Sequence, residues 1–230
     1  MRNQFLAVED VWVCFGKRRA QVLALQGVSV SFEPGTLSLV MGPSGSGKTT
    51  LLSLLGCLLS PETGEVFVDS VPVNGLSEVQ KTALRGTKVG FIFQAFRLLH
   101  SLSAVENVAL SLEIRGYGPR QSRSVAGELL LQLGLGEKLN SDVDGLSPGQ
   151  KQRVAIARAL AGDPPILLAD EPTASLDASA GKNICEILRD QAAHNGKTVV
   201  VVSHDPRWQD YADRTLFLSD GRIQTGGEVN

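Results

Sequence analysis

Four places in the chain carry residues able to do chemistry. The first is Gly42-Pro43-Ser44-Gly45-Ser46-Gly47-Lys48-Thr49-Thr50, which has the G-x-x-x-x-G-K-[ST] spacing of a phosphate-cradling loop. Glycines let backbone N–H groups turn inward around an anion, where side chains would obstruct. Lys48 would reach β- and γ-phosphates, and the Thr49 hydroxyl would hold Mg²⁺. A helix opening near Lys48 would aim its positive end at the same phosphates. The second place is Asp170-Glu171, directly after the apolar run Ile166-Leu167-Leu168-Ala169. Asp170 could organise Mg²⁺ through its water shell, and Glu171 could polarise an attacking water as general base. The third and fourth are Gln94 and His204, each just past an apolar run. Gln94 could offer its amide oxygen to Mg²⁺ or to the water, or be a satisfied loop residue. His204 could donate to a γ-phosphate, or be structural. His100 and His194 have no such setting. Separately, Ser147-Pro148-Gly149-Gln150 opens a helical pattern and forms an anion-friendly cap. Spacing does not say which phosphate it would meet.

These residues need a scaffold that brings strand ends together. Apolar runs at 36–41, 89–93, 166–169 and 199–202, separated by helical patterns, predict a parallel sheet covered on both faces. Ligands bind beyond the carboxyl ends of such strands, which is where Gly42, Gln94, Asp170 with Glu171, and His204 fall. Upstream, residues 5–8, 11–15 and 28–32 alternate like strands, with the charged loop 16–19 as a solvated tip. Residues 61–64 read as a turn ending the first helix, and 65–73 as a strand pair. Helices are expected at 77–85, 104–112, 124–133, 151–161 and 178–194, and a hairpin turning at 219–221 closes the chain.

The 230 residues suffice for one sizeable α/β domain. A formal net charge of -2 and a pI near 5.9 argue against a nucleic-acid groove. Cys14, Cys57 and Cys185 have no CxxC spacing and read as core fillers of a chain kept in a reducing compartment. No signal-peptide pattern opens the chain. The apolar run 51–59 is broken by Ser53 and Gly56 and falls short of the ~20 residues a membrane helix needs. The expectation is a soluble protein that meets a membrane only through a partner.

The phosphate loop, Gln94, Leu146-Ser147-Pro148-Gly149-Gln150, Ile166 to Glu171, Ser175-Leu176-Asp177 and His204 occur in the order found in the nucleotide-binding subunit of ABC transporters. The chain resembles that family over nearly its whole length. Phe91-Ile92-Phe93-Gln94-Ala95-Phe96-Arg97-Leu98-Leu99, Ser103-Ala104-Val105-Glu106-Asn107-Val108 and Gly56-Cys57-Leu58 are similar to the MacB, LolD and FtsE group. The resemblance implies a P-loop ABC ATPase fold, α/β in class. Its RecA-like core sheet and antiparallel β subdomain would be built from 1–93 and 164–230, with a helical subdomain inserted at 94–163. It also implies ATP and Mg²⁺ as ligands and a head-to-tail homodimer holding two ATP molecules. Each phosphate loop would face the other copy's Ser147, Gly149 and Gln150. Glu171 would be the catalytic base, His204 the γ-phosphate contact, Phe15 the adenine stack and Asp177 the link between sites. The partner implied is a MacB- or FtsX-like transmembrane permease docked near Gln94 on the cytoplasmic face. An FtsE-like regulator of division without transport shares these motifs. Pro148, Phe15 and Ser175 depart from the commoner glycine, tyrosine and glycine. Pro148 removes an N–H and fixes φ, yet proline is tolerated early in a helix.

Overall fold

A computed structural model describes residues 4–16 and 21–224. Lys17, Arg18 and Arg19 of the expected charged loop lie outside the described residues. The strands are β1 (Leu6–Phe15), β2 (Val22–Phe32), β3 (Leu37–Met41), β4 (Thr63–Val68), β5 (Val71–Pro72), β6 (Val89–Ile92), β7 (Ile166–Asp170), β8 (Thr198–Val202), β9 (Arg214–Ser219) and β10 (Arg222–Ile223). The α-helices are α1 (Lys48–Leu55), α2 (Glu78–Lys88), α3 (Ala104–Ile114), α4 (Pro119–Gln132), α5 (Pro148–Leu160) and α6 (Ala178–Ala193).

The core sheet has the order β10-β9-β3-β8-β7-β6, and all but β10 run parallel. Pairing of Val40 with Val202, Asp170 with Val202, and Ile92 with Ala169 aligns the carboxyl ends along one edge. Gly42, Glu171, Ser203 and the segment holding Gln94 therefore leave the sheet side by side. The strands are apolar throughout because both faces are covered. One face sends Val40, Leu168, Val200 and Val202 toward α1 and the second sheet. The other sends Leu37, Leu39, Leu167, Val199 and Val201 toward α5, α6 and Trp208. This alternation is the two-residue period of a strand.

The second sheet is antiparallel, in the order β2-β1-β4-β5. Helix α1 lies in the apolar cluster between the sheets, with Leu51, Leu52, Leu54 and Leu55 each at 0% exposure. Burying such a side chain stabilises by about 2 kcal/mol. The alternation suggests two strands here, but β1 is one strand of ten residues with register shifts between Val8 and Cys14. Asp10 absorbs the kink at φ 45° and accepts from Trp12 Nε1 at 3.2 Å. β2 begins at Val22 rather than near residue 28, and Thr63 pairs with Trp12 instead of sitting in a turn. A neighbouring strand, not the local turn signal, decides those boundaries.

Between β6 and β7 the chain forms α3, α4 and α5 around Val105, Val108, Leu112, Ala126, Leu130, Val154 and Ala157. Buried Asn107 pins the loop after β6: its Oδ1 accepts from Leu99 N at 2.7 Å, and its Nδ2 donates to Leu99, Leu102 and Ser103 carbonyls. α4 and α5 start earlier than their apolar periodicity suggests because each takes a proline in its first turn, Pro119 and Pro148. No helix among the described residues is long and apolar enough to cross a membrane.

Asp213 ties α6 to the start of β3. Its Oδ2 accepts from Leu37 N at 2.8 Å and from Arg189 Nη1. Burial raises the Asp213 carboxyl, but the hydrogen bonds from Arg189 and Leu37 outweigh it and hold it below its ordinary value. A depressed carboxylate pKa stabilises above the unfolded pKa, and that stabilisation is lost as pH falls through the folded value. Asp213→Ala is expected to cost about 1 kcal/mol at neutral pH. In urea titrations the gap to the parent chain should close as pH drops below about 4. A gap unchanged with pH would rule this account out.

Candidate functional site

The phosphate loop owes its path to two backbone approaches. At Gly42, φ is 154° and an added Cβ would lie 2.0 Å from the Leu218 carbonyl oxygen of β9. At Gly47, φ is 105° and a Cβ would lie 2.4 Å from the Ala24 carbonyl oxygen of β2. Both obstacles are main chain, so no rotamer relieves them. Hydrogen bonds lock the loop from the same sides: Gly221 N donates to Ser46 O at 3.0 Å, and Gln26 N donates to Gly221 O at 2.8 Å. Ser46 is buried within the turn, at 3% exposure. Lys48 opens α1, with Nζ donating to the Gly42 and Pro43 carbonyls at 2.7 and 2.9 Å. The first N–H groups of a helix have no partner within it, and they share the positive end of its dipole. An ammonium, free N–H groups and a helix dipole thus converge on one concavity.

That concavity is a cleft of ≈ 640 Å³ lined by Phe15, Val22, Ala24, Gly42, Pro43, Ser44, Gly45, Gly47, Lys48, Thr49, Thr50, Gln94, Asp170, Glu171 and His204. Thr49 Oγ1 donates to Asp170 Oδ1 at 3.3 Å. Burial pushes the Asp170 carboxyl up; the Thr49 hydrogen bond opposes this and the charge of Glu171 adds to it. A divalent cation beside Asp170 would favour its ionised form. Among the described residues no group of three or more His, Cys, Asp and Glu is placed to hold a metal. Thr49 and Asp170 fit a hard cation that phosphate oxygens and water would complete.

Glu171 is held by both oxygens. Oε2 accepts from Ser203 Oγ at 2.9 Å, and Oε1 faces His204 Nδ1 at 2.8 Å. An ionised carboxylate only accepts, so Nδ1 carries the proton in this arrangement. Glu171 sits at φ 46°, with its N–H donating to Val202 O at 2.9 Å. A non-glycine residue in that region costs about 1 kcal/mol or more and persists where its surroundings fix it, often at functional sites. Ser203 was not singled out by sequence reasoning. Its signal was a hydroxyl between the buried strand 198–202 and His204.

Ser147, Gly149, Gln150 and Asp177 are not in this cleft. Ser147 caps α5, and Gln150 reciprocates by accepting from Ser147 N at 2.9 Å. Pro148 takes the first helical position, as its geometry prefers. Asp177 caps α6 by accepting from Ala180 N at 2.8 Å. Gly149 lies against Ala180, where an added Cβ would come within 3.1 Å. Gly149 and Asp177 line a separate shallow cleft of ≈ 340 Å³. One chain therefore carries two half-built surfaces, a phosphate cradle and a helix cap that does not face it.

Comparison with known proteins finds relatives over most of the chain. The protein-family profile described as ABC transporter matches residues 25–174. The ATP-binding protein MJ0796 of Methanocaldococcus jannaschii is 43% identical over 207 residues, 88% of each chain. The macrolide export ATP-binding/permease protein MacB of Syntrophobacter fumaroxidans is 41% identical over 95% of this chain, which spans 31% of that relative's length. A solved dimeric structure of MJ0796 bound to ADP and Pi superposes with a TM-score of 0.90 at 39% identity, covering 98% of both chains.

Gly42→Ala tests the loop geometry. The substitution is expected to weaken nucleotide binding at least tenfold, about 1.4 kcal/mol, because the loop must move off β9. Calorimetric titration with MgADP gives the affinity, and unchanged binding would show the loop tolerates a side chain there.

Proposed function

Because the chain belongs to the ABC transporter family, as one of its ATP-binding cassettes, we propose that it hydrolyses ATP as a head-to-tail dimer and drives a transmembrane permease. The observation that carries the reading is the split between two surfaces. Phosphate loop, Asp170, Glu171 and His204 share one cleft, while the Ser147 cap belongs to another face. A second copy would bring the missing cap. The helix end at Pro148 would then offer the Gly149 N–H and the helix dipole to the γ-phosphate, since the Gln150 and Lys151 N–H groups are already taken by Ser147.

Within the cleft, backbone N–H groups and Lys48 hold the β- and γ-phosphates. Thr49 and Asp170 would hold Mg²⁺, which would supply neutralisation of developing phosphate charge. Glu171 accepts a proton from the attacking water as its oxygen bonds the γ-phosphorus. The bond to the bridging oxygen breaks, releasing ADP and phosphate. Ser203 and His204 hold the Glu171 carboxylate in position for that transfer. His204 already commits Nδ1–H to Glu171, so its γ-phosphate contact would be an Nε2–H donation, which requires both ring nitrogens to carry a proton. Phe15 and Val22 supply the apolar surface on which adenine stacks, and Gln94 meets the cation or the attacking water. Asp177, at the cap of α6, links the two nucleotide sites across the dimer.

Relatives of the MacB kind support a permease of that group, with this chain held on the cytoplasmic face through it. Sequence similarity in the segment 91–108 points the same way.

Glu171→Gln should abolish steady-state hydrolysis while leaving ATP binding intact, and should lengthen the life of the dimer seen by size-exclusion chromatography with ATP. Near-normal turnover in that variant would remove Glu171 as the base. Lys48→Ala should weaken ATP binding by at least tenfold, about 1.4 kcal/mol, and an unaltered affinity would count against the phosphate-loop assignment.

A further inference from the structure

The loop after Gln94 holds two consecutive left-handed residues, Phe96 at φ 54° and Arg97 at φ 51°. Neither is a residue type that readily adopts that conformation. Phe96 N donates to Phe93 O at 3.1 Å and Arg97 N to Ala95 O at 2.5 Å, so the chain doubles back tightly. Something outside the loop must hold it. Arg158, on α5, donates from Nη2 to the Phe96 carbonyl at 2.8 Å and from Nη1 to the Arg97 carbonyl. The planar guanidinium suits such a two-point grip, which a lysine ammonium cannot reproduce. Both acceptors are main-chain carbonyls. Burial lowers the Arg158 pKa, and the neighbouring Arg97 charge lowers it further. Arg97 itself lies with Cζ 4.3 Å from the Phe93 ring centroid, and that ring stacks on Phe91 at 4.5 Å.

The other end of the same helix is the Ser147 cap. α5 is one uninterrupted helix of 13 residues, Pro148–Leu160, about 20 Å long at 1.5 Å per residue, so it connects the cap directly to Arg158. A second, exposed tie joins the loop to the segment before α5, His100 Nδ1 to Asp144 Oδ1 at 2.5 Å. Exposed pairs of that kind contribute little, so the half-buried Arg158, with two hydrogen bonds to main-chain carbonyls, is the stronger link.

We propose that Arg158 is a positioning residue for hydrolysis: it fixes the loop carrying Gln94 to the helix capped by Ser147, so that seating the cap on a second copy's nucleotide sets where Gln94 stands in its own cleft. This rests on the reading in which Gln94 and the cap both serve ATP hydrolysis. The chemistry stays with Glu171; Arg158 acts only through Gln94.

The test is a double-mutant cycle on the intact chain, read by steady-state hydrolysis and by binding of a fluorescent ATP analogue. Arg158→Met is expected to lower kcat about tenfold with less than about twofold change in nucleotide affinity, and Arg158→Lys to fall between it and the parent. In a Gln94→Ala background, Arg158→Met should have no further effect, because the group it positions is gone. Losses that multiply in the double variant, or an affinity loss matching the loss in kcat, would overturn the proposal. Gln94→Ala with parental kcat would instead remove Gln94 from hydrolysis, and the proposal with it. Should Arg158→Met not fold, Arg158→Lys carries the same cycle, since it keeps charge and most of the side-chain length.

Discussion

Everything at the site depends on the parallel pairing of β3, β8 and β7. Register alone brings Gly42, Glu171 and Ser203 to one edge, because Val40, Val202 and Asp170 are neighbours across the ladder. No loop could place them so closely by itself. A one-residue slip would turn the inward faces of these strands around. With Val40 facing α1 and Val201 facing α6, such a slip exposes no polar residue but breaks both packed layers. The same register that buries the core therefore fixes the distance between the phosphate loop and the carboxylates.

Much of this was legible in residue order. Gly42, Gln94, Asp170, Glu171 and His204 are readable in sequence as strand-end groups, and they share one cleft with Lys48 and Thr49 of the phosphate loop. The parallel strands were visible because burial on both faces leaves continuous apolar runs such as Thr198–Val202. Less was visible in the antiparallel sheet. Thr63 and Gly64 look like a turn, yet Thr63 pairs with Trp12, and position 64 admits only glycine because the Asp10 carbonyl lies 2.3 Å from where a Cβ would stand. Such partners are distant in sequence and carry no local signal. Ser203 and Arg158 were missed for a related reason. Their importance lies in what they bond, Glu171 in one case and two loop carbonyls in the other.

The glycines of the phosphate loop illustrate how one residue type answers two demands. Sequence reasoning assigned them to opening N–H groups toward an anion. Gly42 and Gly47 are required first by β9 and β2, whose carbonyls occupy the space a Cβ would need. By contrast, an added Cβ at Gly45 meets nothing within 4 Å, though its φ of 80° still favours glycine. The cradle is thus wedged between two sheets, and its rigidity comes from the fold rather than from its own hydrogen bonds.

Nine non-glycine residues among the described ones take left-handed backbone, and three of them border the cleft. Glu171, Phe96 and Arg97 all take left-handed backbone, and each lies within a few residues of a strand end at the cleft. The surroundings hold each one: Val202 O and Ser203 for Glu171, and the Arg158 guanidinium for the other two. A strained segment keeps its conformation only through the groups that hold it, whereas α1 is held by buried leucines on several sides. Small displacements of α5 would therefore be felt first at the loop carrying Gln94, where two hydrogen bonds oppose backbone strain, and last at α1, which is wedged by buried leucines. In the proposed cycle the phosphate grip would stay fixed while the groups assigned to the attacking water are repositioned.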